Sequence, residues 1–418
     1  FGSRCQHHSF QIFTIYSEYT ARHYPSHSLT HSSPPFWLLL SVLLLQFLCS
    51  LQTMELSRRR PSRARVADVL ALSLWLLAAC PVHGDGPYEV ECSLERIPGL
   101  RSILPFLNLA RICYPTVSTA NGSRDETAVF PLHLFAHGDA GGGAFFYLGY
   151  GSLQHELASH GFVVPAYLSC WFDSECNNGQ ESFLEALKLL DFMEQNPTLA
   201  PVDWSKSYSA SGHSTGGRVV LMLASIRDNP AYLANTSIAP LIKPSYRRSL
   251  QKLRAVIGDF PDPMYNVQQN PDIANFRITE TPVFIITGSN DYWIEPSSSG
   301  WADFMMTDSK NKVFICMHGA GHLEPTMYHS EGPFIAYFAQ YYALGNVTAG
   351  RLIYGDGPGT LQKTLPLAEP GDHNRGDNTV SFLACSEGAP AVPLNFEAYC
   401  SDTLGLRAVE VIFDAYPN

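Results

Sequence analysis

The chain has 418 residues, of which 45% are hydrophobic and 16% charged, a composition typical of a globular protein with a sizeable core. Its net charge is −11; of its 27 Lys/Arg and 38 Asp/Glu residues, 7 and 3 lie in residues 1–84, which leaves 20 and 35 beyond them, a net charge of −15. Because such a surface repels phosphate backbones, we expect no nucleic-acid partner.

Residues 54–84 have the order of a secretory signal peptide. Met54 is followed by five arginines within residues 58–65, an apolar stretch at 66–80 and the small-residue segment 82–84. This order predicts cleavage after residue 84, a secreted or secretory-pathway product and no stable membrane insertion after cleavage. An uncleaved anchor is the alternative, although the apolar stretch is short for a membrane span.

Residues 1–53 are left out of the predicted fold. They hold a second apolar run, residues 36–51, after a stretch rich in Ser and His. We interpret them as upstream or unstructured sequence, and a second targeting element or membrane anchor is the competing interpretation.

From Thr127 onward, short apolar runs alternate with helical patterns. The strand candidates are residues 128–136, 162–168, 207–212, 255–258, 283–287 and 313–317, and the clearest helix is residues 181–195. Near-continuous apolar strands are typical of a parallel sheet that is covered on both faces. Their alternation with helices predicts an α/β fold, with a doubly wound, mostly parallel sheet and flanking helices.

Two segments depart from this alternation of strand and helix patterns. Residues 226–252, with Asn229-Pro230 and Pro240, are interpreted as an insertion above the sheet and a candidate lid. Beyond residue 352 the chain is rich in Gly, Pro and Asp. We therefore expect the main domain at 85–352 and an irregular, disulfide-tied extension at 353–418.

Seven cysteines beyond residue 84 agree with export to an oxidising compartment. Local spacing suggests three pairs and leaves Cys316 alone in an apolar strand, although connectivity cannot be read from sequence. The suggested pairs are Cys92–Cys113, Cys170–Cys176 and Cys385–Cys400. No zinc-type spacing is present, so we expect no metal. Sequons at Asn121, Asn235 and Asn346 support glycosylation and secretion only weakly.

The strongest chemical signal is Gly212-His213-Ser214-Thr215-Gly216-Gly217. It follows a strand candidate and opens an apolar helical run, residues 219–224. This is the context of a G-x-S-x-G nucleophile elbow, in which Ser214 is the nucleophile. Small neighbours let strand and helix approach closely, and the helix N-terminus directs free N–H groups at a developing oxyanion.

The general base is expected on a loop after the last strands, because elbow hydrolases order their triad Ser, Asp/Glu, His along the chain. Gly319-Ala320-Gly321-His322 follows the strand at 313–317, and its small residues let an imidazole reach Ser214. His322 is the predicted base. His318 is the nearby alternative, but it belongs to the end of the strand.

The acid that orients this histidine has three candidates. Asp291 follows the strand at 283–287 and is preferred, since from that loop it could hold His322 in the required tautomer. Asp259 and Asp262 follow the preceding strand and stay open as alternatives. An ordinary loop-capping role for any of these aspartates is also open.

A Gly-rich loop after the first strand candidate is expected to complete the oxyanion hole. His137-Gly138-Asp139 is followed by Ala140 and three glycines. We predict that the backbone N–H groups of Asp139 and Thr215 are the two donors. The loop lacks the Lys-Ser/Thr of a P-loop, so a nucleotide site is discounted and no cofactor is expected.

Aromatic residues flank these loops, and the expected substrate cleft is lined by Trp293, Tyr292 and Phe145. Core packing is the alternative interpretation for such residues. Trp293 is the best candidate for the cleft because it lies two positions past the presumed acid, among polar residues.

Several segments together resemble one group of enzymes: polyester hydrolases and cutinases of the bacterial type, chlorophyllases, and platelet-activating factor acetylhydrolases. The matching segments are Gly86-Pro87-Tyr88-Glu89-Val90, residues 157–164, the elbow, Asn290-Asp291 with Ile294 and Pro296, and Gly321-His322. The resemblance covers about residues 86–352. It implies the α/β-hydrolase fold and hydrolysis of a carboxylic ester by a Ser-His-Asp triad.

The sequence also departs from this pattern. Trp293 stands where those enzymes usually carry an aliphatic residue, and the insertion at 226–252 is unusual. Residues 258–262 with residues 321–324 are similar to chlorophyllase, in which the acid comes from the earlier strand. These departures bear on the substrate more than on the reaction.

The expected protein is a secreted, monomeric serine ester hydrolase acting on a small-molecule or polymeric ester through an acyl-enzyme. A cutinase-like or polyester-hydrolase-like substrate is preferred, with chlorophyllase-like and platelet-activating factor acetylhydrolase-like activities as alternatives. The rival of another class is a non-catalytic binding protein built on the same fold. Such a protein is expected to lose a triad member, whereas this sequence offers candidates for all three.

Overall fold

A computed structural model describes residues 84–100, 108–119, 123–138, 149–168, 180–230, 239–263, 277–294, 296, 299–355, 357–367 and 382–385. The interpretations of residues 1–53 and of the signal peptide fall almost wholly outside these ranges. Within them, no helix combines the length and the apolarity that crossing a membrane requires.

The core of the fold is a nine-stranded, mostly parallel sheet. Its strands are β1 (Glu89–Arg96), β2 (Leu109–Thr116), β3 (His133–Ala136), β4 (Val164–Leu168), β5 (Tyr208–His213), β6 (Leu253–Asp259), β7 (Val283–Gly288), β8 (Lys312–Met317) and β9 (Phe382–Cys385). Their order across the sheet is β1-β2-β4-β3-β5-β6-β7-β8-β9. The six strands from β4 to β8 in this order run parallel, and β1, β2 and β9 are antiparallel at the two edges.

Helices cover both faces of this sheet. They are α1 (Gly151–Ser159), α2 (Gln180–Gln195), α3 (Thr215–Asp228), α4 (Pro244–Lys252), α5 (Gly300–Met305), α6 (Glu324–Met327), α7 (Gly332–Leu344), α8 (Val347–Tyr354) and α9 (Leu361–Thr364), with a 3₁₀ turn at Ala239–Leu241. Helices α2 to α5 pack on one face, and α1 and α7 to α9 pack on the other.

Each face has its own hydrophobic core. Val256 and Ile285 belong to the core beneath α2 to α5, whereas the alternate residues Ile257 and Ile286 belong to the core beneath α1 and α7. Successive side chains of a strand point to opposite faces, so a strand that is buried on both must be apolar throughout. This is why near-continuous apolar runs mark the central strands.

The six predicted strands are confirmed as β3 to β8, and the predicted helix at 181–195 is α2. The α/β architecture with a mostly parallel sheet and flanking helices is therefore confirmed. The prediction missed β1 and β2, which form an antiparallel pair outside the parallel core. The Cys92–Cys113 disulfide joins two directly opposed residues of this pair, as the spacing had suggested. Cys316 is a buried thiol, and the suggested pairs at Cys170–Cys176 and Cys385–Cys400 include residues outside the described ranges.

The lid interpretation of residues 226–252 is wrong for the described part of that segment. Residues 226–228 are the last of α3, and α4 packs against α2 and α3 with Tyr246 and Leu250 buried in their core. Helix α4 leads directly into Leu253, the first residue of β6. Leu253 is the register partner of Tyr208, the first residue of β5. Helix α4 therefore lies toward the N-terminal ends of the strands, away from Ser214.

The C-terminal boundary predicted at residue 352 falls inside helix α8. Ile353, Leu361 and Leu365 are buried in the same core as α1 and α7. Strand β9 then pairs antiparallel with β8 at the sheet edge, within the segment that was expected to be irregular. The packed domain thus continues past residue 352.

Candidate active site

Ser214 occupies a strained turn between β5 and α3. Strand β5 ends at His213, α3 begins at Thr215, and Ser214 between them has φ 56° and ψ −124°. A positive φ at a residue with a side chain costs on the order of 1–3 kcal/mol and is concentrated at functional sites. A β-carbon at Gly216 would collide with the backbone oxygen of Ala136, so this position requires glycine for strand and helix to approach.

The N-terminus of α3 supplies free backbone donors next to Ser214. The first N–H of the helix that bonds back is that of Arg218, which donates to the Ser214 carbonyl oxygen at 3.2 Å. The N–H groups of residues 215–217 therefore have no acceptor within the helix. Thr215, the predicted oxyanion donor, is the first of them and directly follows the serine.

His322 bridges Ser214 and Asp291. Its Nε2 lies 3.0 Å from Ser214 Oγ, and its Nδ1 lies 2.7 Å from Asp291 Oδ2. Because a carboxylate oxygen accepts, Nδ1 carries the proton, and the unprotonated Nε2 accepts from the serine hydroxyl. All three side chains are buried. The structure thus brings together the three predicted triad residues in the arrangement that serine activation requires.

Asp291 is held on its second oxygen as well. Oδ1 accepts hydrogen bonds from the backbone N–H groups of Trp293 at 3.0 Å and Ile294 at 2.9 Å. These bonds fix the rotamer of the carboxylate, which leaves Oδ2 directed at His322. The loop-capping role and the histidine-orienting role that the sequence left as alternatives are therefore performed by the two oxygens of one side chain.

The loops that carry the acid and the base are joined through their backbones. The Asn290 N–H donates to the Ala320 carbonyl oxygen at 3.0 Å, and the Gly319 N–H donates to Ser289 Oγ at 2.8 Å. A β-carbon at Gly288 would collide with the Ala320 carbonyl, so glycine is required there for the loops to meet. These contacts set the distance between Asp291 and His322.

The side chains of the alternative triad residues are not part of the hydrogen-bonded row from Ser214 through His322 to Asp291. His318 is on the exposed surface, and its backbone N–H donates to the Pro366 carbonyl at 2.6 Å. The Asp262 carboxylate forms an ion pair with the buried Arg218 at 2.8 Å. Asp259 is fully buried at the end of β6, and neither of its carboxyl oxygens has a hydrogen-bond partner among the described residues. Asp259 and Asp262 are hydrogen-bonded to Ser214 through backbone atoms only, since the Ser214 N–H donates to the Asp259 carbonyl oxygen at 3.1 Å and the Asp262 N–H donates to the Ser214 carbonyl oxygen at 2.9 Å.

A pair of buried carboxyl groups lies behind the triad. Burial raises the pKa of Asp259, and the negative charges of Glu331 and Glu324 raise it further. Burial also raises the pKa of Glu331, with a further contribution from Glu324. These shifts favour the neutral form of the Asp259 carboxyl, which makes Asp259 a poor source of the negative charge that an imidazolium needs.

The predicted oxyanion loop is described only up to Gly138, so Asp139 and Phe145 lie outside the described residues. Gly138 itself is close to the nucleophile, since a β-carbon built on it would lie 3.1 Å from the β-carbon of Ser214. The chain thus enters the Gly-rich segment from a point directly beside the serine.

The two aromatic residues that follow Asp291 are on the surface. Trp293 is 62% exposed and Tyr292 is 69% exposed. The Trp293 ring lies 5.5 Å from the His322 ring, centroid to centroid, at an interplanar angle of 49°. Such an exposed indole beside the base offers a surface on which an apolar or flat group can rest.

Two further buried side chains, which no sequence-based prediction named as functional, contact the triad region. Tyr150 Oη is hydrogen-bonded to His213 Nδ1, and His213 Nε2 lies 2.7 Å from the His322 carbonyl oxygen. His213 could have been flagged from its place immediately before the nucleophile. Tyr150 is 63 residues away from His213 in the chain, and no local pattern marks it.

Among the described residues, no group of three or more His, Cys, Asp and Glu side chains is arranged to hold a metal ion. In comparisons with known proteins, no protein-family model matches the chain and no curated protein matches it significantly.

Proposed function

We propose that this protein is a serine carboxylic-ester hydrolase of the α/β-hydrolase fold. The observation that carries the proposal is the continuous hydrogen-bonded row Ser214 Oγ, His322 Nε2, His322 Nδ1 and Asp291 Oδ2, with distances of 3.0 Å and 2.7 Å. A non-glycine residue with positive φ at the head of this row supports the nucleophile assignment independently.

In the proposed acylation step, Ser214 Oγ attacks the ester carbonyl carbon while its proton moves to His322 Nε2. The carbonyl π electrons move to oxygen and form a tetrahedral oxyanion. When this intermediate collapses, the bond to the alcohol oxygen breaks, and His322 gives its proton to the departing alkoxide. Asp291 stabilises the imidazolium that exists between these two proton transfers.

Deacylation repeats the sequence with water. His322 Nε2 takes a proton from a water molecule, whose oxygen attacks the acyl carbon, and then returns that proton to Ser214 Oγ as the carboxylic acid leaves. The oxyanion in both steps is proposed to be held by the Thr215 N–H at the start of α3 and by the Asp139 N–H. The position of Gly138 beside Ser214 supports a donor from this segment.

The substrate is proposed to be an ester with short to medium acyl chains or a polymeric ester, bound in an open cleft rather than a deep tunnel. The exposure of Trp293 and Tyr292 next to the base supports this, as does the location of α4 away from the serine. The resemblance to polyester hydrolases and cutinases points the same way. Chlorophyll and phospholipid acetyl esters are the further candidates, and secretion is part of the proposal through the segment at 54–84.

A complete triad favours an enzyme over a non-catalytic binding protein of the same fold, because binding proteins have no need to conserve a proton relay with this geometry. The two possibilities predict opposite results with a fluorophosphonate probe. Such a probe is attacked at phosphorus by an activated serine, which loses its proton to the base as fluoride leaves.

The test combines this probe with a substrate panel. The purified protein is expected to be labelled at Ser214, mapped by peptide mass spectrometry, and to hydrolyse p-nitrophenyl esters, with polyester film and chlorophyll tested alongside. Ser214→Ala is expected to lose labelling and turnover while its unfolding transition is kept. A heat-unfolded sample is the control for non-specific labelling. An intact protein that neither labels nor hydrolyses any ester would contradict the proposal.

A further inference from the structure

A chain of buried hydrogen bonds runs behind the triad and connects its loops. The Gly138 N–H donates to Tyr150 Oη at 3.2 Å, Tyr150 Oη is hydrogen-bonded to His213 Nδ1, and His213 Nε2 lies 2.7 Å from the His322 carbonyl oxygen. Tyr150 and His213 are 1% and 2% exposed, so water does not compete for these bonds.

The direction of each bond is fixed by chemistry. A carbonyl oxygen can only accept, so His213 Nε2 carries a proton and donates to His322. Burial holds the pKa of His213 well below its ordinary value, and the adjacent His322 lowers it further, so the ring is neutral and Nδ1 accepts. Burial raises the pKa of Tyr150, which therefore keeps its proton and donates it to Nδ1. The tyrosine oxygen is then free to accept from Gly138.

This chain joins three parts of the proposed site that are distant in sequence. Gly138 follows β3 and precedes the predicted oxyanion donor. His213 directly precedes the proposed nucleophile, and His322 is the proposed base. The acid loop holds the base loop from the side of Asp291, whereas the bond from His213 holds the His322 backbone from the side of Ser214. A base loop that shifts by about 1 Å loses the alignment of Nε2 with Ser214, which can cost roughly 100-fold in rate.

We propose that His213 and Tyr150 are positioning residues of the hydrolase: neutral His213 holds the His322 backbone against the nucleophile elbow, and Tyr150 fixes the tautomer of His213 and anchors the oxyanion segment at Gly138. This inference rests on the proposed function. Both side chains are buried, so their loss is expected to act on turnover and on the rate of serine labelling, and not on substrate affinity.

The variants separate positioning from folding. His213→Phe keeps a ring and removes both hydrogen bonds, His213→Gln keeps a donor for the His322 carbonyl, and Tyr150→Phe removes a single oxygen. The matched controls are at Tyr208 and His133, the first residues of β5 and β3, which are the strands that lead to His213 and Gly138. Tyr208→Phe removes a buried hydroxyl with no partner among the described residues, and His133→Gln alters a buried histidine that bonds Ser209 and Ser211.

For wild type and each variant, kcat and KM for a p-nitrophenyl ester, the rate of fluorophosphonate labelling and the melting temperature are measured. His213→Phe is expected to lower kcat and the labelling rate by roughly 10- to 100-fold with little change in KM. Tyr150→Phe is expected to lower both by a smaller factor, and His213→Gln to recover most of the loss. The two controls are expected to keep wild-type kcat even where they lower the melting temperature.

The outcomes are distinguishable from failure of the hydrolase proposal. If wild type labels and turns over but both His213→Phe and Tyr150→Phe match it, the positioning role is overturned and the hydrolase stands. If kcat falls equally in His133→Gln, the effect is one of stability and the role is also overturned. If wild type does not label at all, the hydrolase proposal falls and takes the positioning role with it. Should His213→Phe fail to fold, Tyr150→Phe against Tyr208→Phe decides the matter alone.

Discussion

His213 and Asp259 are register partners on the parallel strands β5 and β6, yet both carboxyl oxygens of Asp259 lack a hydrogen-bond partner among the described residues. Their side chains project from the same face of the sheet, as those of paired residues do. A charged Asp259 there would be buried without compensation, and burial accordingly raises its pKa well above the ordinary value. The carboxyl group that reaches His322 is therefore that of the more distant Asp291, and not that of the aspartate nearest the elbow along the sheet.

The first prediction ranks the three aspartates. Asp291→Asn is expected to lower kcat by about 10⁴-fold, because an amide cannot stabilise the imidazolium and favours the wrong tautomer of His322. Asp259→Asn replaces a carboxyl whose neutral form burial favours by a neutral amide, and is expected to change kcat little. Asp262→Asn breaks the ion pair with Arg218 and is the control for a nearby lost charge. Steady-state kinetics on one ester decide it, and a larger loss at Asp259 would move the acid to β6.

The second prediction concerns the strain at Ser214. In an ordinary strand or helix, glycine is less stable than alanine by about 0.5–1 kcal/mol. At φ 56° the order is expected to reverse, because glycine adopts a positive φ without the steric cost that alanine bears. Ser214→Gly should therefore be at least as stable as Ser214→Ala. Urea unfolding of the two inactive proteins measures the difference, and a clearly less stable glycine variant would show that the turn is not strained.

The third prediction is a pH dependence of stability that is due to Glu331. Burial raises its pKa from the ordinary 4.5 to about 8 in the folded protein. Between these values the folded state binds more protons than the unfolded state, so the free energy of unfolding decreases as pH rises. This contribution is complete below about pH 4.5 and is lost by about pH 8.

Glu331→Gln removes the titrating group and keeps its shape. Its melting temperature, measured by calorimetry at pH 5 and pH 8, is expected to exceed that of wild type by more at pH 8 than at pH 5. Glu89→Gln, at an exposed position on β1, is the control for loss of a carboxylate. Equal shifts at the two pH values would mean that Glu331 is ionised in the folded protein.

The fourth prediction tests the open cleft. Trp293→Ala is expected to raise KM by roughly 2- to 10-fold, the equivalent of about 0.5–1.5 kcal/mol for one aromatic contact, with kcat little changed. Leu241→Ala removes an exposed apolar side chain from the 3₁₀ turn and serves as the control. An open cleft also predicts no jump in rate when the substrate forms an interface. Strong interfacial activation with a preference for long-chain triglycerides would contradict it.

The features that could be predicted from the sequence are those that depend on residues close together in the chain. The central strands are buried on both faces, so their apolar composition marks them, and the elbow is marked by six consecutive residues, 212–217. Strand β1 was not predicted because it is not a continuous apolar run. Charged residues such as Glu91 and Glu95 alternate along it with apolar ones, and one of its faces is largely exposed. The choice between Asp291 and Asp259 depends on burial and on hydrogen bonds from the folded loop, neither of which any local pattern contains. Tyr150 was missed for the same reason.

The backbone bond from Asn290 to Ala320 also bears on how readily the substrate specificity of the proposed hydrolase can change. Main-chain atoms and the Ser289 hydroxyl hold the acid loop to the base loop, and Asp291 Oδ1 is held by the N–H groups of residues 293 and 294 whatever side chains those residues carry. The hydrogen bond from residue 293 therefore remains available when Trp293 is exchanged for another non-proline residue. Selection, or a library of variants at position 293, can thus change the substrate preference of the proposed hydrolase while the contact between Asp291 and His322 is kept.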